Sequence, residues 1–337
     1  MPVLALAALG ELAERALVAA GTAPVNAGHV ARALVAADAD GIPSHGVARL
    51  PAYCDQVASG KVDGRAVPTA QSTAGATIAV DAADGFAFPA VALALDRLVA
   101  TVRETGIAAA GIRRSHHFGV AGHPVERLAE AGLVGLAFTN SPAGLAPWGG
   151  ARPTYGTNPI AFACPRAGAP PLVVDLSLSK VARGRVMVAA QKGEPIPEGW
   201  AVDVEGRPTT DAKAALAGTM LPMGDAKGAA LALVVELLAA GLTGGTYGYE
   251  AGSFFTADGP KPRIGHLLIA IDPIRLGAGG ADGGDFATRA ATLLERATGE
   301  PGVRLPGDRR LAARAKAAAV GVDVPDALAT DLRRRAG

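Results

Sequence analysis

The sequence predicts a fold that mixes α-helices with β-strands, on three observations. Apolar residues keep a helical period over the first 40 positions, short apolar runs of strand length recur through the middle, and helical periodicity returns near the end. Leu9, Leu12, Ala13 and Leu17 share one helical face, Gly21 breaks it, and Pro24 opens a second helix carrying Val30, Leu34 and Val35. The stretch 59–76, rich in Gly, Ser and Thr, reads as a linker. Strands are expected at 77–80, 107–112, 134–139, 160–163, 172–175 and 267–271, with helices at 88–105 and 124–131. From Phe286 onward the pattern is helical again, apart from a Pro- and Gly-marked loop at 300–310.

Composition narrows the function. The chain has 337 residues, half of them apolar, which suffices for about two domains of roughly 150 residues each. Its 32 Lys and Arg nearly balance 31 Asp and Glu, so no overall field gathers nucleic acid or an anionic membrane. The 44 Gly and 24 Pro follow no collagen period and serve turns. Cys54 and Cys164 form neither a metal-ligand spacing nor a disulfide framework, which fits a reducing compartment and predicts a cytoplasmic protein with no metal site. The apolar start lacks a basic flank and runs directly into Glu11, Glu14 and Arg15, so no signal peptide is read. The longest apolar stretch, 228–242, carries Glu236 at its centre and falls short of the ~20 residues a bilayer requires; it is expected to be a buried helix. Neither GxGxxG nor GxxxxGK[ST] is present, and HExxH, GxSxG and an EF-hand loop are absent too.

Several segments could carry chemistry. In Asp40-Gly41-Ile42-Pro43-Ser44-His45-Gly46-Val47-Ala48-Arg49, a helix starting after Pro43 would set His45 and Arg49 at i and i+4 on one face. Histidine suits proton transfer near neutrality and arginine offers a planar fork for a carboxylate, although a capped helix start with a solvated arginine fits equally well. In Ser115-His116-His117-Phe118-Gly119-Val120-Ala121-Gly122-His123-Pro124, small residues precede a helix N-terminus whose free N–H groups could take a phosphate; the plainer reading is a glycine-rich connection. Asn140-Ser141-Pro142, Pro147-Trp148-Gly149-Gly150 and Tyr155-Gly156-Thr157-Asn158-Pro159 have the texture of binding loops, or singly of turns, and Thr157 could hydrogen-bond a substrate. Lys180, Arg183 and Arg185 form a cationic stretch. Lys227 at the start of the apolar helix opposes the macrodipole unless an anion sits there, and Pro306-Gly307-Asp308-Arg309-Arg310 offers a basic pair.

Together these motifs resemble the type II malate/L-lactate dehydrogenase family of NAD(P)-dependent oxidoreductases, over nearly the whole chain. The resemblance rests on Ser44-His45-Gly46 with Arg49, Ser115-His116-His117-Phe118-Gly119, Pro147-Trp148-Gly149-Gly150, Gly156-Thr157-Asn158-Pro159, Asp175-Leu176-Ser177 and Lys227-Gly228. It implies an α+β fold with a non-Rossmann cofactor domain built on a mostly antiparallel sheet, residues 71–279. A helical domain would come from both chain ends, residues 1–70 and 280–337, and the protein would be a homodimer. It further implies His45 as proton donor with Ser44 as its relay, and a small anionic carboxylate held by Arg49 and Thr157, with Arg183 and Arg185 beside it. By the same resemblance NAD(P)H, with a lean toward NADP from Arg113, Arg114 and Arg309, would be held by His117, Phe118, Gly119, Val120, Ala121, Asp175, Leu176, Ser177, Lys227 and the run Leu305, Pro306, Gly307, Asp308, Arg309, Arg310.

Two departures bear on the substrate. Ala226 stands where many members carry His, so one cofactor contact is missing or supplied elsewhere. Arg185 stands where the imine-reducing members carry an Asp, and a cation there favours a 2-oxo or 2-hydroxy acid of the malate, lactate or sulfolactate type over a cyclic iminium. Leu50-Pro51-Ala52-Tyr53, the run 58–64 and Val235-Glu236-Leu237-Leu238 are similar instead to the Δ1-piperidine-2-carboxylate and Δ1-pyrroline-2-carboxylate reductase branch.

Overall fold

The apolar periodicities resolve into separate packed cores. In a computed structural model, which describes residues 2–278 and 285–337, the chain opens with β1 (Val3–Leu4), α1 (Leu6–Ala19) and α2 (Pro24–Ala39). Proline in the first turn of α2 loses nothing there, because that N–H has no helical partner. Two 3₁₀ turns, Pro43–His45 and Val47–Arg49, lead into α3 (Leu50–Ala58). The middle of the chain gives β2 (Thr69–Ala74), β3 (Thr77–Asp81), α4 (Ala87–Thr105), β4 (Ile107–Ser115), α5 (Gly122–Glu130), β5 (Val134–Thr139), β6 (Ile160–Cys164) and β7 (Leu172–Leu176). Then come α6 (Arg183–Lys192), β8 (Ala201–Val202), β9 (Pro208–Thr209), α7 (Ala212–Ala217), β10 (Thr219–Met220), α8 (Ala226–Glu236) and β11 (Ile264–Ile271). The chain closes with α9 (Phe286–Ala297), α10 (Asp308–Val320), β12 (Val322–Asp323) and α11 (Asp326–Ala336).

The main sheet has seven strands in the order β2-β3-β4-β11-β5-β6-β7. Only the β3–β4 pair is parallel, joined by the α4 crossover, so the sheet is mostly antiparallel as expected. Helices α4 and α5 cover one face, where Leu95, Leu98, Ile112, Leu128 and Leu268 form the largest core. A second core joins the two ends of the chain: Leu9, Leu17, Leu34 and Tyr53 pack with Val324, Ala329 and Leu332, and β1 pairs with β12.

Three expectations need correction, and one feature is additional to them. The segment read as a linker contains β2, an edge strand whose polar residues are mostly exposed; a one-sided edge strand carries no apolar run to reveal it. No helix carries His45 and Arg49 together, because Gly46 is extended between the two 3₁₀ turns. A third core was not anticipated: Leu145, Leu178, Val186, Ile196, Ala215 and Met220 pack around α6, α7 and the small β10-β8-β9 sheet. The apolar helix α8 is buried on one side only, leaving Leu231, Leu233 and Val234 exposed, as is Leu237 just past its end. The position between residues 279 and 280, expected as a domain boundary, lies outside the described residues.

A buried ion-pair cluster fastens α10 to α2 and α5. Arg314 bonds Asp40 at 2.7 Å and Glu126 at 2.9 Å, Arg310 bonds Glu126 at 2.9 Å, and His123 bonds Asp40 at 2.9 Å. Burial alone would raise the Asp40 carboxyl, but hydrogen bonds from His123 and Arg314 overcome it and hold it at about 2. On β11 and the end of β4, burial pushes His266 and His116 down to about 3. All three groups bind protons more weakly folded than unfolded. The histidine contributions are complete above about pH 6.5 and drain as pH falls toward 3; the Asp40 contribution follows between about pH 4 and 2. Stability should therefore fall continuously as the protein is acidified from pH 6.5 to 4, by up to about 1.4 kcal/mol per pH unit for each buried histidine. Urea midpoints measured across that range would show it, and a flat profile would contradict the buried neutral histidines.

Candidate active site

One residue decides how His45 and Arg49 are presented. Gly46 lies against Asp38 of α2, and a Cβ at Gly46 would sit 1.9 Å from the Asp38 carboxylate. That carboxylate accepts the Val47 N–H at 2.7 Å, so the chain bends here and restarts its second 3₁₀ turn on a fixed anchor. Burial pushes the Asp38 carboxyl up to about 6, against the opposing pull of the Val47 N–H. His45 then projects toward His117, ring centroids 5.3 Å apart, with its Nδ1 3.0 Å from the Ser44 hydroxyl. Arg49 folds back so that its Nε donates to the Ser44 carbonyl at 2.7 Å, and its guanidinium lies 4.4 Å over the ring of Phe255. Its Nη1 is buried and has no partner among the described residues.

The loop after β4 supplies the next wall. His117 is buried, 4.9 Å from Phe254, with Nδ1 2.6 Å from the Tyr53 hydroxyl. Gln56 donates its amide to Thr256, so its oxygen accepts from His116 Nε2 at 2.7 Å. The His116 imidazole therefore carries its proton on Nε2. Phe118, Val120 and Ala121 turn their side chains into the interior, Phe118 stacking 4.5 Å from His266. Phe88 blocks any side chain at Gly119. These four positions can therefore meet a ligand chiefly through backbone.

The N-terminus of α5 offered free N–H groups that a phosphate could take, with a glycine-rich connection as the plainer reading. A carboxylate occupies it instead: Asp175 accepts the Gly122 N–H at 2.7 Å, satisfying the positive end of the helix from within the chain. Beyond Asp175, β7 passes Leu176 and Ser177 to the carbonyl of Thr157, which accepts from Leu178 N at 2.8 Å. Met223 N then bonds Leu178 O at 2.9 Å, which brings the turn before Lys227 alongside, with Lys227 exposed at the start of α8. Gly307 approaches Val173 of β7, so the loop Leu305–Pro306–Gly307 lies along the same edge. Asp308 caps that loop through Leu305 N at 2.9 Å, Arg309 is exposed, and Arg310 is spent on Glu126 and Asp40.

Thr157 belongs to a loop braced by Ser141. Its N–H bonds the Ser141 hydroxyl at 3.1 Å, and Gly144 separates it from Arg183. Arg183 is engaged with the carbonyls of Ala143 and Leu216, both at 3.3 Å, and so holds loops rather than presenting a free fork. Gly184 lies 3.7 Å from the Ser44 side chain when given a Cβ, which sets the start of α6, with exposed Arg185, beside the His45 turn. Glu236 anchors this wall from behind. Its buried carboxylate accepts from Asn158 at 2.7 Å, Asn140 at 2.9 Å and Gly248 N at 2.7 Å. Asp38, Tyr53, Phe254 and Phe255 were not singled out from the sequence as site residues, since none stands in a chemical motif.

Burial lowers His45 to about 4, helped by the nearby Arg49 and His123, and lowers His117 well below the ordinary histidine range. The site thus gathers neutral imidazoles around a guanidinium whose Nη1 has no partner among the described residues. Because Gly46 leaves no room for a methyl group, Gly46→Ala should shift His45 and Arg49 apart. A loss on the order of a hundredfold in kcat/KM is expected with far-UV circular dichroism unchanged; near-normal activity would show that the Asp38 contact does not set the site.

A sequence profile described as malate/L-lactate dehydrogenase matches residues 4–333. The chain is 53% identical over 322 residues to a (2R)-3-sulfolactate dehydrogenase (NADP(+)) of Chromohalobacter salexigens, covering 96% of this chain and 94% of that one. It is 43% identical to a Delta(1)-pyrroline-2-carboxylate/Delta(1)-piperideine-2-carboxylate reductase of Pseudomonas syringae pv. tomato, covering 97% and 94%. The crystal structure of a delta1-piperideine-2-carboxylate reductase from that organism superposes with a TM-score of 0.92 at 42% identity, covering 99% and 100% of the two chains. The chain belongs to the malate/L-lactate dehydrogenase family and is an oxidoreductase.

Proposed function

We propose that the protein moves a hydride between a nicotinamide cofactor, NADP in preference to NAD, and C2 of a small 2-oxo or 2-hydroxy carboxylate. The observation that carries this reading is the unpaired, buried Nη1 of Arg49 beside the His45 imidazole. A desolvated guanidinium nitrogen is costly unless an anion meets it. A substrate carboxylate there sets the adjacent carbonyl oxygen within the neighbourhood of His45. Arg49 and Thr157 orient the carboxylate, His45 exchanges the proton on the C2 oxygen, and Ser44 steadies His45 through Nδ1.

When bound, the cofactor supplies or takes up the hydride. The backbone of His117 to Ala121, Asp175 to Ser177, Lys227 and the run Leu305 to Arg309 would hold it; Arg310, already paired with two carboxylates, contributes through α10 instead. Exposed Lys227 and Arg309 suit an anionic cofactor, and the NADP(+) in the name of the Chromohalobacter relative supports the phosphorylated form. Arg185, beside the Ser44 turn, favours substrates with a second anionic group, as in the sulfolactate type named for that relative. Reduction of a cyclic imino carboxylate is the second reading, favoured by the Pseudomonas relative and its superposable structure.

The same reading divides the chain into a helical unit, 1–70 with 280–337, and a sheet-containing unit, 71–279, supported by the core that joins both ends. A second copy would cover the exposed Leu231 and Val234 of α8, with Leu237 just beyond it, in a homodimer. A cytoplasmic setting agrees with two buried, unpaired cysteines. No helix among the described residues is long and apolar enough to cross a membrane.

His45→Ala should lower turnover by about a hundredfold or more while cofactor affinity stays within about twofold. Cofactor oxidation measured against pyruvate, oxaloacetate, 3-sulfopyruvate and the two cyclic imines separates the readings, and a preference for the imines would replace the first by the second. The lowered His45 also sets a pH dependence. Above about 4 the free imidazole is a base, so kcat/KM for oxidising the 2-hydroxy acid should not change through His45 between pH 6 and 8, whereas kcat/KM for reducing the 2-oxo acid should fall as pH rises. Opposite slopes in initial-rate profiles would contradict the assignment.

A further inference from the structure

Tyr53 has no part in the chemistry described so far, yet its hydroxyl makes the shortest side-chain contact to a cleft imidazole. The residue is wholly buried on α3, with its ring 5.4 Å from Phe86 and 5.2 Å from His116. Its oxygen lies 2.6 Å from His117 Nδ1, its single hydrogen bond among the described residues. Two arrangements are possible. If Nδ1–H donated to the phenol, the phenol's own hydrogen would point into a packed interior with no acceptor, at a cost of about 1–3 kcal/mol. If the phenol donates to Nδ1, both groups are satisfied. Burial keeps the phenol undissociated and the imidazole neutral, so no charged form competes.

We propose that Tyr53 is a positioning residue that locks His117 in the neutral tautomer with its proton on Nε2, making His117 a fixed hydrogen-bond donor beside His45. With Nδ1 committed as acceptor, the imidazole proton sits on the ring's other nitrogen. The His117 ring stands 5.3 Å from His45 and 4.9 Å from Phe254 at the cleft wall. A neutral donor fixed in this way recognises a carbonyl-type oxygen, either the substrate's C2 oxygen or the carboxamide oxygen of the nicotinamide. Holding one tautomer matters because the other would present a lone pair to that oxygen and repel it. The functional part of the proposal rests on the oxidoreductase reading above, while the tautomer does not.

Two-bond ¹H–¹⁵N correlation of histidine-labelled protein tests the tautomer directly, with His117 assigned by the cross-peaks missing from a His117→Gln variant. The expected pattern is a pyridine-type Nδ1 and a pyrrole-type Nε2; a protonated Nδ1 in the wild-type protein overturns the proposal. Tyr53→Phe keeps the ring packing and removes the donor. It should disturb the His117 tautomer pattern and lower kcat/KM by roughly tenfold, the worth of one hydrogen bond. An unchanged tautomer and rate in Tyr53→Phe also overturns it, since His117 would then be held by something else. A loss confined to NADPH affinity, read by fluorescence titration, assigns the acceptor to the cofactor; a loss in KM or kcat for the 2-oxo acid assigns it to the substrate. Should His45→Ala retain activity while the wild-type spectrum shows the Nε2 proton, the functional reading fails and the Tyr53–His117 lock stands.

Discussion

The candidate site is organised around one buried guanidinium nitrogen left uncompensated among the described residues. Arg49 is lined by a carbonyl, an aromatic face and neutral imidazoles, and no carboxylate reaches its buried Nη1 among the described residues. A protein that placed an aspartate there would be more stable and would bind an anionic substrate poorly, because the ligand would have to displace an ion pair. The neutrality of His45, His116 and His117 follows from the same economy of charge: burial and the field of Arg49 act together to keep each imidazole unprotonated. The two carboxylates that precede the site are both engaged: Asp38 accepts the Val47 N–H, and Asp40 is paired with Arg314 and His123.

The opposite wall solves the inverse problem. Glu236 is a buried carboxylate with no cation partner among the described residues, and it is satisfied by two asparagine amides and a backbone N–H. Hydrogen bonds from neutral donors to a charged acceptor are among the stronger ones, and these three come from separate loops near residues 140, 158 and 248. One charge therefore ties together the segments that carry Ser141 and Thr157. Glu236 is thus fully satisfied, whereas the Nη1 of Arg49 on the histidine side is left open.

Much of this was legible in the sequence. Strands whose faces are buried left apolar runs, so β3 to β7 and β11 could be placed, and α1, α2, α4 and α5 announced themselves by period and by Pro or Gly at their ends. What stayed hidden has a common cause. Edge strand β2 has almost no buried side chains, and the short β8, β9 and β10 are two residues each, too brief for any periodicity. The turn at Gly46 was taken for a helix because i and i+4 spacing brings two residues together on a helix; here two 3₁₀ turns do so, and the reason is Asp38, eight positions earlier. His45 and Arg49 could be named from residue chemistry. Tyr53 and Phe255 could not, since their roles arise from packing between segments far apart in the chain.

On the proposed reading, with His45 as proton donor and Arg49 meeting the substrate carboxylate, these electrostatics would also order the events of a turnover. A free enzyme whose general acid is already deprotonated cannot reduce a ketone until that group takes up a proton. Binding an anionic substrate at Arg49 cancels one of the causes that keeps His45 neutral and places negative charge near the imidazole, so proton uptake and substrate binding reinforce each other. In the reverse direction the neutral imidazole is ready to accept the hydroxyl proton as the hydride leaves, and departure of the 2-oxo acid from Arg49 restores the field that expels that proton to solvent. In that scheme the cation that meets the carboxylate would also reset the acid between cycles, and a cation at Arg185, where the imine-reducing resemblance carries an aspartate, would be compatible with the chemistry of a 2-oxo acid.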